Sequence, residues 1–370
     1  MPDDVTTELG GAAFVDLPKV SLHDHLDGGL RPQTIIELAD EIGLEVPTTD
    51  AAALGTWFRD QCEAGSLVEY LKTFDLTTAV MQTAPALERI AREFVQDLVA
   101  DGVIHGEIRW APEQHLTAGL TLDETVEAVQ RGIDSGIDDA SSQGRAITVG
   151  QLISAMRQND RGVEIADLAL RHRDRGAIGF DIAGPEAGFP AGRLREAFDL
   201  LAANFFPRTV HAGEADGIES IRGALIDGRA LRLGHGVRLA EDIELVEGPG
   251  GERVARLGEV ANWVRDREIT LETSPSSNVQ TAAFAQWGTE LHDHPFDVLY
   301  QLDFRVTVNC DNRLMSATSL TRELGLLVDA FGYDLDDLEV FQLNAAAGAF
   351  LPLEEREGLA EAIVRGFEEA

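Results

Sequence analysis

Short apolar runs alternate with longer amphipathic stretches along most of the chain. Eight of these runs are rich in β-branched residues and end in polar or glycine-rich residues, which predicts eight strands. They comprise residues 20–28, 103–113, 146–154, 177–186, 208–214, 231–237, 269–278 and 305–312. Segments such as 87–102 and 163–176 place apolar residues at spacings of three and four, which predicts helices between the strands. Strand alternating with helix eight times predicts an α/β fold, a (β/α)8 TIM-type barrel.

Two segments are longer than the strand–helix repeat requires. Residues 29–102 exceed one connection, so we expect extra helices over the C-terminal mouth of the barrel, with 57–82 as a candidate lid. Residues 318–370 are predicted to be helical, and 318–332 has the Thr/Ser start and Gly end typical of a helix. No stretch rich in Pro, Gly or Ser is long enough to separate domains, so residues 1–370 are predicted to form one domain.

The composition excludes several classes of function. The 370 residues include 65 acidic and 30 basic side chains, a formal net charge of −35, and 44% are hydrophobic. Nucleic acids and anionic membranes are bound through clustered Lys and Arg, so neither partner is expected. No apolar run approaches the roughly 18 residues of a membrane span, and the N-terminal residues lack a signal-peptide pattern. Cys62 and Cys310 lie far apart, so we expect a reducing cytoplasm. The acidity itself fits a saline cytoplasm or simply a well solvated surface.

Four of the nine histidines close predicted strands, where barrels of this type carry their active sites. His23 and His25 stand two residues apart, so in a strand their side chains project to the same face. His211, His235 and Asp311 close the fifth, sixth and eighth runs. Three histidine nitrogens, a carboxylate and a water form a divalent catalytic site with an open position, and zinc fits these ligands best, ahead of iron, cobalt or manganese. The remaining histidines, predicted to be surface or packing residues, are His105, His115, His172, His292 and His294.

Short motifs at the strand ends, in order along nearly the whole chain, resemble the adenosine deaminase family of the metal-dependent amidohydrolases. The motifs are LPKVSLHDHLDGGLRP (17–32), GFDIAGPE (179–186), TVHAGE (209–214), RLGHG (232–236), SPSSNVQT (274–281), NCDN (309–312) and NAAAGAFLP (344–352). The resemblance implies the same barrel. It also implies zinc-dependent hydrolytic deamination of adenosine, and of 2′-deoxyadenosine, in purine salvage.

The resemblance also implies roles for the matching positions in binding the metal and in catalysis. One zinc ion per chain would be bound by His23, His25, His211 and Asp311. Glu214 would donate a proton to purine N1, and His235 would orient the attacking water and act with Asp311 in proton transfer. The chemistry is consistent, because zinc lowers the pKa of water to about 7 and burial raises the pKa of a glutamic acid.

The substrate contacts implied by the resemblance involve residues beside these ligands. Asp27 would hold the ribose 5′-hydroxyl with His25 next to it, and the backbone N–H of Gly184 would bind purine N3. Asp27 could instead cap the following turn, and Gly184 could simply serve the turn into Pro185. One position departs from the family pattern, because the metal aspartate is usually followed by a second aspartate and here by Asn312. An asparagine amide donates to purine N7 without needing a proton, which leaves the fine substrate preference open.

The scarcity of lysine bears on the number of metals. Two-metal hydrolases on this barrel often bridge their metals with a carbamylated lysine at the end of a middle strand. The chain has only two lysines. Lys19 precedes the first predicted strand and Lys72 lies in the candidate lid, so a single metal is predicted.

Several rival functions remain open from the sequence. The nearest are deaminases of adenine or of a modified adenosine nucleoside such as aminofutalosine, and Asp27 favours a nucleoside over the free base. The lack of an Arg/Lys cluster at the strand ends argues against a nucleotide. A non-catalytic nucleoside-binding protein would have lost a metal ligand or Glu214, and neither is lost. A metal phosphoesterase or lactonase would have no use for a proton donor to N1. The oligomeric state is open.

Overall fold

A computed structural model describes residues 4–63, 66–247 and 253–370. In these residues eight parallel strands form the barrel that the alternation predicts. In chain order, β1 to β8 are Lys19–His25, Val103–Trp110, Thr148–Met156, Ala177–Ala183, Thr209–Ala212, Arg232–His235, Thr270–Thr273 and Val306–Val308. Each strand overlaps one of the eight predicted runs, so the predicted (β/α)8 architecture is confirmed.

The barrel is closed by two narrow seams between sheets of four strands, β1–β4 and β5–β8. One isolated parallel bridge joins Asp24 to Asp311, and another joins Phe180 to Arg208. At the first seam the His25 N–H donates to the Asp311 carbonyl at 2.7 Å, and the Asp311 N–H donates to the His23 carbonyl at 2.9 Å. The first and last strands therefore meet beside the candidate metal ligands.

Helices surround the barrel and extend over its mouth. Those in the described residues, α1 to α16, are Pro32–Ile42, Ala51–Cys62, Leu67–Leu71, Phe74–Val80, Ala84–Ala100, Leu122–Ser142, Gly162–Arg171, Arg195–Ala203, Ile218–Ile226, Glu259–Asp266, Pro275–Gln280, Phe296–Gln301, Arg313–Ser316, Leu320–Phe331, Leu335–Gly348 and Leu353–Glu368. The expected extra helices between the first two strands are α1–α5, and the predicted helical tail is α14–α16. None of these helices combines the length and the apolar composition needed to cross a membrane.

Local signals set the ends of these helices. The Ser319 side chain accepts a hydrogen bond from the Arg322 N–H and starts α14, and Gly332, with φ of +75°, ends it, as the sequence predicts. The predicted helix 163–176 ends earlier, at Arg171, because a turn of 3₁₀ helix leads from there to Gly176. Two short antiparallel strand pairs were not predicted: Glu8–Leu9 with Ala12–Ala13, and Ile243–Glu247 with Arg253–Leu257.

The barrel interior beneath the strand ends is ionic rather than apolar. Arg109 on β2 contacts Asp181 on β4 at 2.8 Å and Glu272 on β7 at 2.7 Å. Arg232 on β6 contacts the other oxygen of Glu272 at 2.6 Å and also reaches Glu107 at 2.5 Å. All five side chains are fully or almost fully buried. Buried charges persist when each one is paired and hydrogen-bonded, so this network gives the floor of the site a fixed arrangement.

Neither lysine lies at the mouth of the barrel. Lys19 is the first residue of β1 rather than a residue before it, and its buried ammonium donates to the carbonyls of Phe14 and Leu17 at the opposite end of the strand from His25. Lys72 lies between α3 and α4 and pairs with Glu69 on the surface. These positions are consistent with the prediction that no lysine bridges two metals.

Candidate active site

A cavity of about 280 Å³ opens at the C-terminal ends of the strands. Helices α3 and α4, within the predicted lid segment, cover one side of it with Leu67, Tyr70, Leu71 and Phe74. The polar residues that line it include His25, Asp27, Asp75, Gln158, His211, Glu214, His235, Asp311 and Asn312. No lysine or arginine of the described chain lines the cavity. Its floor is therefore polar and acidic, and its cover is largely apolar.

The strand-end histidines and Asp311 converge at the base of this cavity. Asp311 Oδ1 lies 3.3 Å from His23 Nε2 and 3.2 Å from His25 Nε2, and His25 Nε2 lies 3.4 Å from His211 Nε2. Ligand atoms of His23, His211, His235 and Asp311 all lie within 4.8 Å of one another. The sequence-predicted residues are thus brought together, and their hydrogen-bond partners distinguish ligands from neighbours.

Two of the histidines are backed by buried carboxylates. His23 Nδ1 lies 3.1 Å from Glu272, and His211 Nδ1 lies 2.7 Å from Asp181. A carboxylate that holds Nδ1–H leaves the Nε2 lone pair facing the site, which is the usual arrangement of metal-binding histidines. Burial alone would raise the pKa of Asp181, but His211 and Arg109 hold this pKa well below its ordinary value. The carboxylate is therefore ionised and can orient the imidazole.

His235 has the opposite kind of partner. Its Nδ1 lies 3.0 Å from the amide nitrogen of Asn278, which can only donate. Asn278 Oδ1 in turn faces two donors, the Ser274 N–H at 3.3 Å and His294 Nε2 at 3.1 Å. The donor-to-acceptor direction of this series of hydrogen bonds is fixed at its far end, where the Phe296 N–H donates to His294 Nδ1 at 3.0 Å. In neutral His235 the proton is therefore carried by Nε2.

This protonation pattern separates His235 from the predicted ligands. An Nε2 that carries a proton has no lone pair for a metal, and His235 Nε2 points instead toward Glu214 Oε2 at 3.6 Å. Burial, followed by the charge of His23, holds the pKa of His235 well below its ordinary value, so the imidazole is neutral. His294, predicted as a surface or packing residue, is buried and belongs to this hydrogen-bond chain.

Backbone strain marks the same strand ends. His235 and Asp311 have φ of +64° and +60°, in the left-handed region that side chains rarely adopt. Such residues cost about 1 kcal/mol or more each and persist where the surrounding structure holds them in place. Ser277 Oγ donates to Asp311 Oδ2 at 2.6 Å, which leaves Oδ1 facing His23 and His25. The strained turns therefore aim both side chains into the site.

Glu214 lies three residues beyond His211 and is buried at the cavity wall. Its Oε1 has no hydrogen-bond partner among the described residues. Burial, and then the negative charges of Asp311 and Glu186, raise the pKa of Glu214 well above its ordinary value. This environment favours the protonated form of the carboxyl, which is the form that can donate a proton.

The four predicted substrate contacts, His25, Asp27, Gly184 and Asn312, all border the cavity. Asp27 is buried, its Oδ1 lacks a hydrogen-bond partner among the described residues, and burial raises its pKa to about 7. No side chain caps α1, so the alternative role of Asp27 as a helix cap is not observed there. Gly184 has φ of +100°, and Asn312 packs its Oδ1 against Gly28, where a Cβ atom would stand only 1.9 Å away.

A buried carboxyl supports the site from behind. Glu323 on α14 accepts hydrogen bonds from the Ser276 N–H at 3.0 Å and from Thr318 Oγ1 at 2.6 Å. It thereby fixes the start of α11, the helix that carries Ser277 and Asn278. Burial raises the pKa of Glu323 to about 7.

We expect Glu323→Gln to remove a pH-dependent loss of stability. Because the pKa rises from 4.5 to about 7 on folding, the native state binds more protons than the unfolded state in this interval, and stability falls as pH rises through it. The free energy of unfolding of the variant should therefore gain roughly 2 kcal/mol on the wild type between about pH 5 and 8. Urea denaturation at both pH values measures the gain, and a difference that does not change with pH would contradict it.

Comparison with known proteins identifies close relatives. Residues 18–365 match the family model described as Adenosine deaminase. An adenosine deaminase of Mycobacteroides abscessus is 49% identical over 362 residues, covering 98% of both chains. Adenosine deaminase 1 of Streptomyces coelicolor is 51% identical over 349 residues, covering 94% of this chain and 86% of that one. The crystal structure of an amidohydrolase from Burkholderia ambifaria with bound Zn is similar with a TM-score of 0.82 at 22% identity, over 99% of this chain and 96% of that one, which bears on the fold alone.

Proposed function

The chain belongs to the adenosine deaminase family, and on that premise we propose how its strand-end residues carry out the hydrolysis of adenosine to inosine and ammonia. The activity follows from the family and from relatives 49% and 51% identical over nearly the whole chain. The metal, the proton transfers and the substrate contacts are our proposal. The observation that carries it is the convergence of His23, His211, Asp311 and Glu214, whose pKa is raised, on one cavity that no lysine or arginine of the described residues lines.

We assign one zinc ion per chain to His23, His25, His211 and Asp311. The fit rests on the carboxylates behind His23 and His211 and on the buried Nε2 of His23, which forms no hydrogen bond among the described residues. Three nitrogens and one carboxylate suit zinc. When bound, zinc would lower the pKa of a water molecule to about 7 and so supply hydroxide at neutral pH.

Glu214 is proposed as the proton donor to purine N1. Attack at C6 places negative charge on the ring, and a proton on N1 neutralises it as aromaticity is lost. The raised pKa favours the protonated form of the Glu214 carboxyl, and its Oε1, which has no hydrogen-bond partner among the described residues, is open to the purine. A donor of this kind contributes typically 10²- to 10⁴-fold to a rate.

The hydrogen-bond chain through Asn278 divides the remaining roles between His235 and Asp311. With its proton on Nε2, neutral His235 donates a hydrogen bond to the attacking oxygen rather than accepting the proton from it. Asp311, ionised and held by Ser277, is then the acceptor of the first proton. Since the lone pair of neutral His235 lies on Nδ1 and faces Asn278, the Nε2–H that faces the site orients the attacking oxygen and does not take up the first proton.

The ribose and the outer edge of the purine are assigned to the remaining cavity residues. Asp27 accepts a hydrogen bond from the 5′-hydroxyl with His25 beside it, and the Gly184 N–H donates to N3. Asn312 Nδ2 donates to N7, because Oδ1 of the same amide is packed against Gly28. These contacts recognise a nucleoside rather than a free base.

We expect Asn312→Leu to lower kcat/KM by roughly ten- to a hundredfold, the cost of leaving N7 without its hydrogen bond. Leucine has the same branching as asparagine but is larger, so an analogue that lacks N7 is needed to separate the lost hydrogen bond from a steric effect. Steady-state kinetics with adenosine and with its 7-deaza analogue, which lacks the N7 acceptor, measures the effect. The variant and the wild type should differ little on the analogue, and unchanged kinetics on adenosine would exclude the N7 contact.

A panel of substrates tests the proposal. The fall in ultraviolet absorbance near the adenosine maximum is followed with adenosine, 2′-deoxyadenosine, adenine and AMP, each with and without a chelator. The two nucleosides should be turned over in the absence of chelator, and adenine and AMP only poorly. Faster turnover of adenine than of adenosine would favour an adenine deaminase. Faster turnover of AMP would contradict the assignment of this cavity, which no lysine or arginine of the described residues lines, to a nucleoside. No turnover of any substrate would favour a non-catalytic nucleoside-binding protein.

The cellular setting is part of the proposal. We propose a purine nucleoside as the partner, with no nucleic acid or membrane surface, because the net charge of −35 repels both. Cys62 and Cys310 are buried and unpaired, which supports a reducing cytoplasm. We also propose that residues 1–370 form one domain, because the first and last strands of the barrel meet beside the proposed metal ligands.

A further inference from the structure

Glu186 has an unusual set of hydrogen-bond donors. It lies just beyond β4 at the end of the motif GFDIAGPE, and its side chain is buried. Four successive backbone N–H groups donate to it, those of Gly213 at 2.7 Å, Glu214 at 3.0 Å, Ala215 at 2.6 Å and Asp216 at 3.0 Å. Ser220 Oγ on α9 adds a fifth hydrogen bond at 2.5 Å.

The loop from β5 to α9 is thus wrapped around a carboxylate of its own chain. Successive N–H groups that point inward form a concave site for an anion, of the kind that elsewhere binds phosphate. Gly213 makes this curvature possible, because its φ of +76° is open to glycine and a Cβ atom there would lie 2.6 Å from Ile221. Without an anion, these buried or partly buried donors would lack a partner, so the shape of the loop depends on Glu186.

Glu214 sits inside this set of donors. Its backbone N–H is held by Glu186, and its side chain leaves the loop toward the cavity and His235. A shift of the loop would move the proton donor while leaving the metal ligands on their strands. The negative charge of Glu186 also helps to keep Glu214 protonated.

We propose that Glu186 is a positioning residue that holds Glu214 in place for proton transfer to the purine. This inference rests on the proton-donor role proposed for Glu214. Glu186 itself does not line the cavity, and it acts through the backbone of residues 213–216.

The first test is Glu186→Gln, which keeps the size of the side chain but turns an NH₂ group toward the N–H donors. We expect kcat to fall by roughly 10- to 100-fold with KM changed by less than about threefold. The matched control is Glu241→Gln. Glu241 accepts the Ile218 N–H at the start of α9 and pairs with Arg238, but it does not contact residues 213–216. Its replacement should leave kcat within about twofold.

A double-mutant cycle separates positioning from general destabilisation. If Glu186 acts through Glu214, then Glu186→Gln should have almost no further effect on the residual turnover of Glu214→Gln, because residues that act as a unit are not additive. Additive losses would overturn the inference, as would a Glu186→Gln enzyme with wild-type kcat. If Glu214→Gln alone kept wild-type kcat, the proton-donor role itself would fail, which distinguishes the two failures.

Chemical rescue supplies a readout that does not depend on the glutamine variant. Glu186→Ala leaves the five donors around a space that a small carboxylate can occupy. Formate or acetate should restore kcat in a saturable manner, while formamide at the same concentration should not. Equal effects of formate and formamide, or no rescue of folded protein with wild-type metal content, would show that the loop does not require a carboxylate.

Discussion

Replacing Glu214 with glutamine is expected to lower kcat by about 10²- to 10⁴-fold while changing KM little. Glutamine has the same shape and can still donate a hydrogen bond to N1, but it cannot transfer a proton. Burial and the charges of Asp311 and Glu186 raise the pKa of Glu214 and so favour its role as an acid. Glutamine has no acidic proton on which these surroundings could act.

The measurement is steady-state turnover of adenosine together with the affinity for inosine. Asp216→Asn is the matched control, because Asp216 lies in the same loop but is exposed and does not line the cavity. The control should keep nearly full activity. A Glu214→Gln enzyme within about tenfold of wild-type kcat, or one that had lost inosine binding, would contradict the assignment.

Removal of the metal is expected to reduce turnover by at least about 10³-fold. Water that is not bound to a metal has a pKa near 15.7 and supplies almost no hydroxide at neutral pH. One equivalent of zinc per chain should restore activity. Since a ligand that binds only the folded state stabilises it, the metal-free protein should also melt at a lower temperature.

Elemental analysis before and after chelation, paired with activity and thermal denaturation, checks this expectation. His211→Ala should lose the metal and the activity together, whereas the matched control His292→Ala should keep both, because His292 is an exposed surface residue. Two metals per active chain, or full activity in metal-free protein, would contradict the single-zinc assignment.

The residues that were predictable from sequence carry a local signal. A β-rich run that ends in a histidine or an aspartate places that side chain at the mouth of a parallel barrel, whatever the rest of the chain does. His23, His211 and Asp311 were found in this way, and the eight strand runs were confirmed. Predicting that these residues lie at strand ends does not require knowing which strands are neighbours in the barrel.

The residues that were missed act through partners distant in sequence. Asp181 and Glu272 both lie within predicted strand runs, 177–186 and 269–278. Their pairing with Arg109, however, depends on which strands face each other across the barrel. Glu186 belongs to a quoted motif, yet its partners are backbone N–H groups, which leave no side-chain signal. His294 lies far along the chain from His235, and only the fold connects the two through Asn278.

The seam between β1 and β8 has a consequence for how the enzyme matures. His23 and His25 are made early in synthesis, whereas Asp311 is among the last barrel residues to leave the ribosome. The bridge between Asp24 and Asp311 cannot form until then, and contacts so distant in sequence are intrinsically slow to form. A nascent chain that still lacks Asp311 therefore cannot present all four proposed ligands. Binding of the metal would then indicate that the barrel has closed.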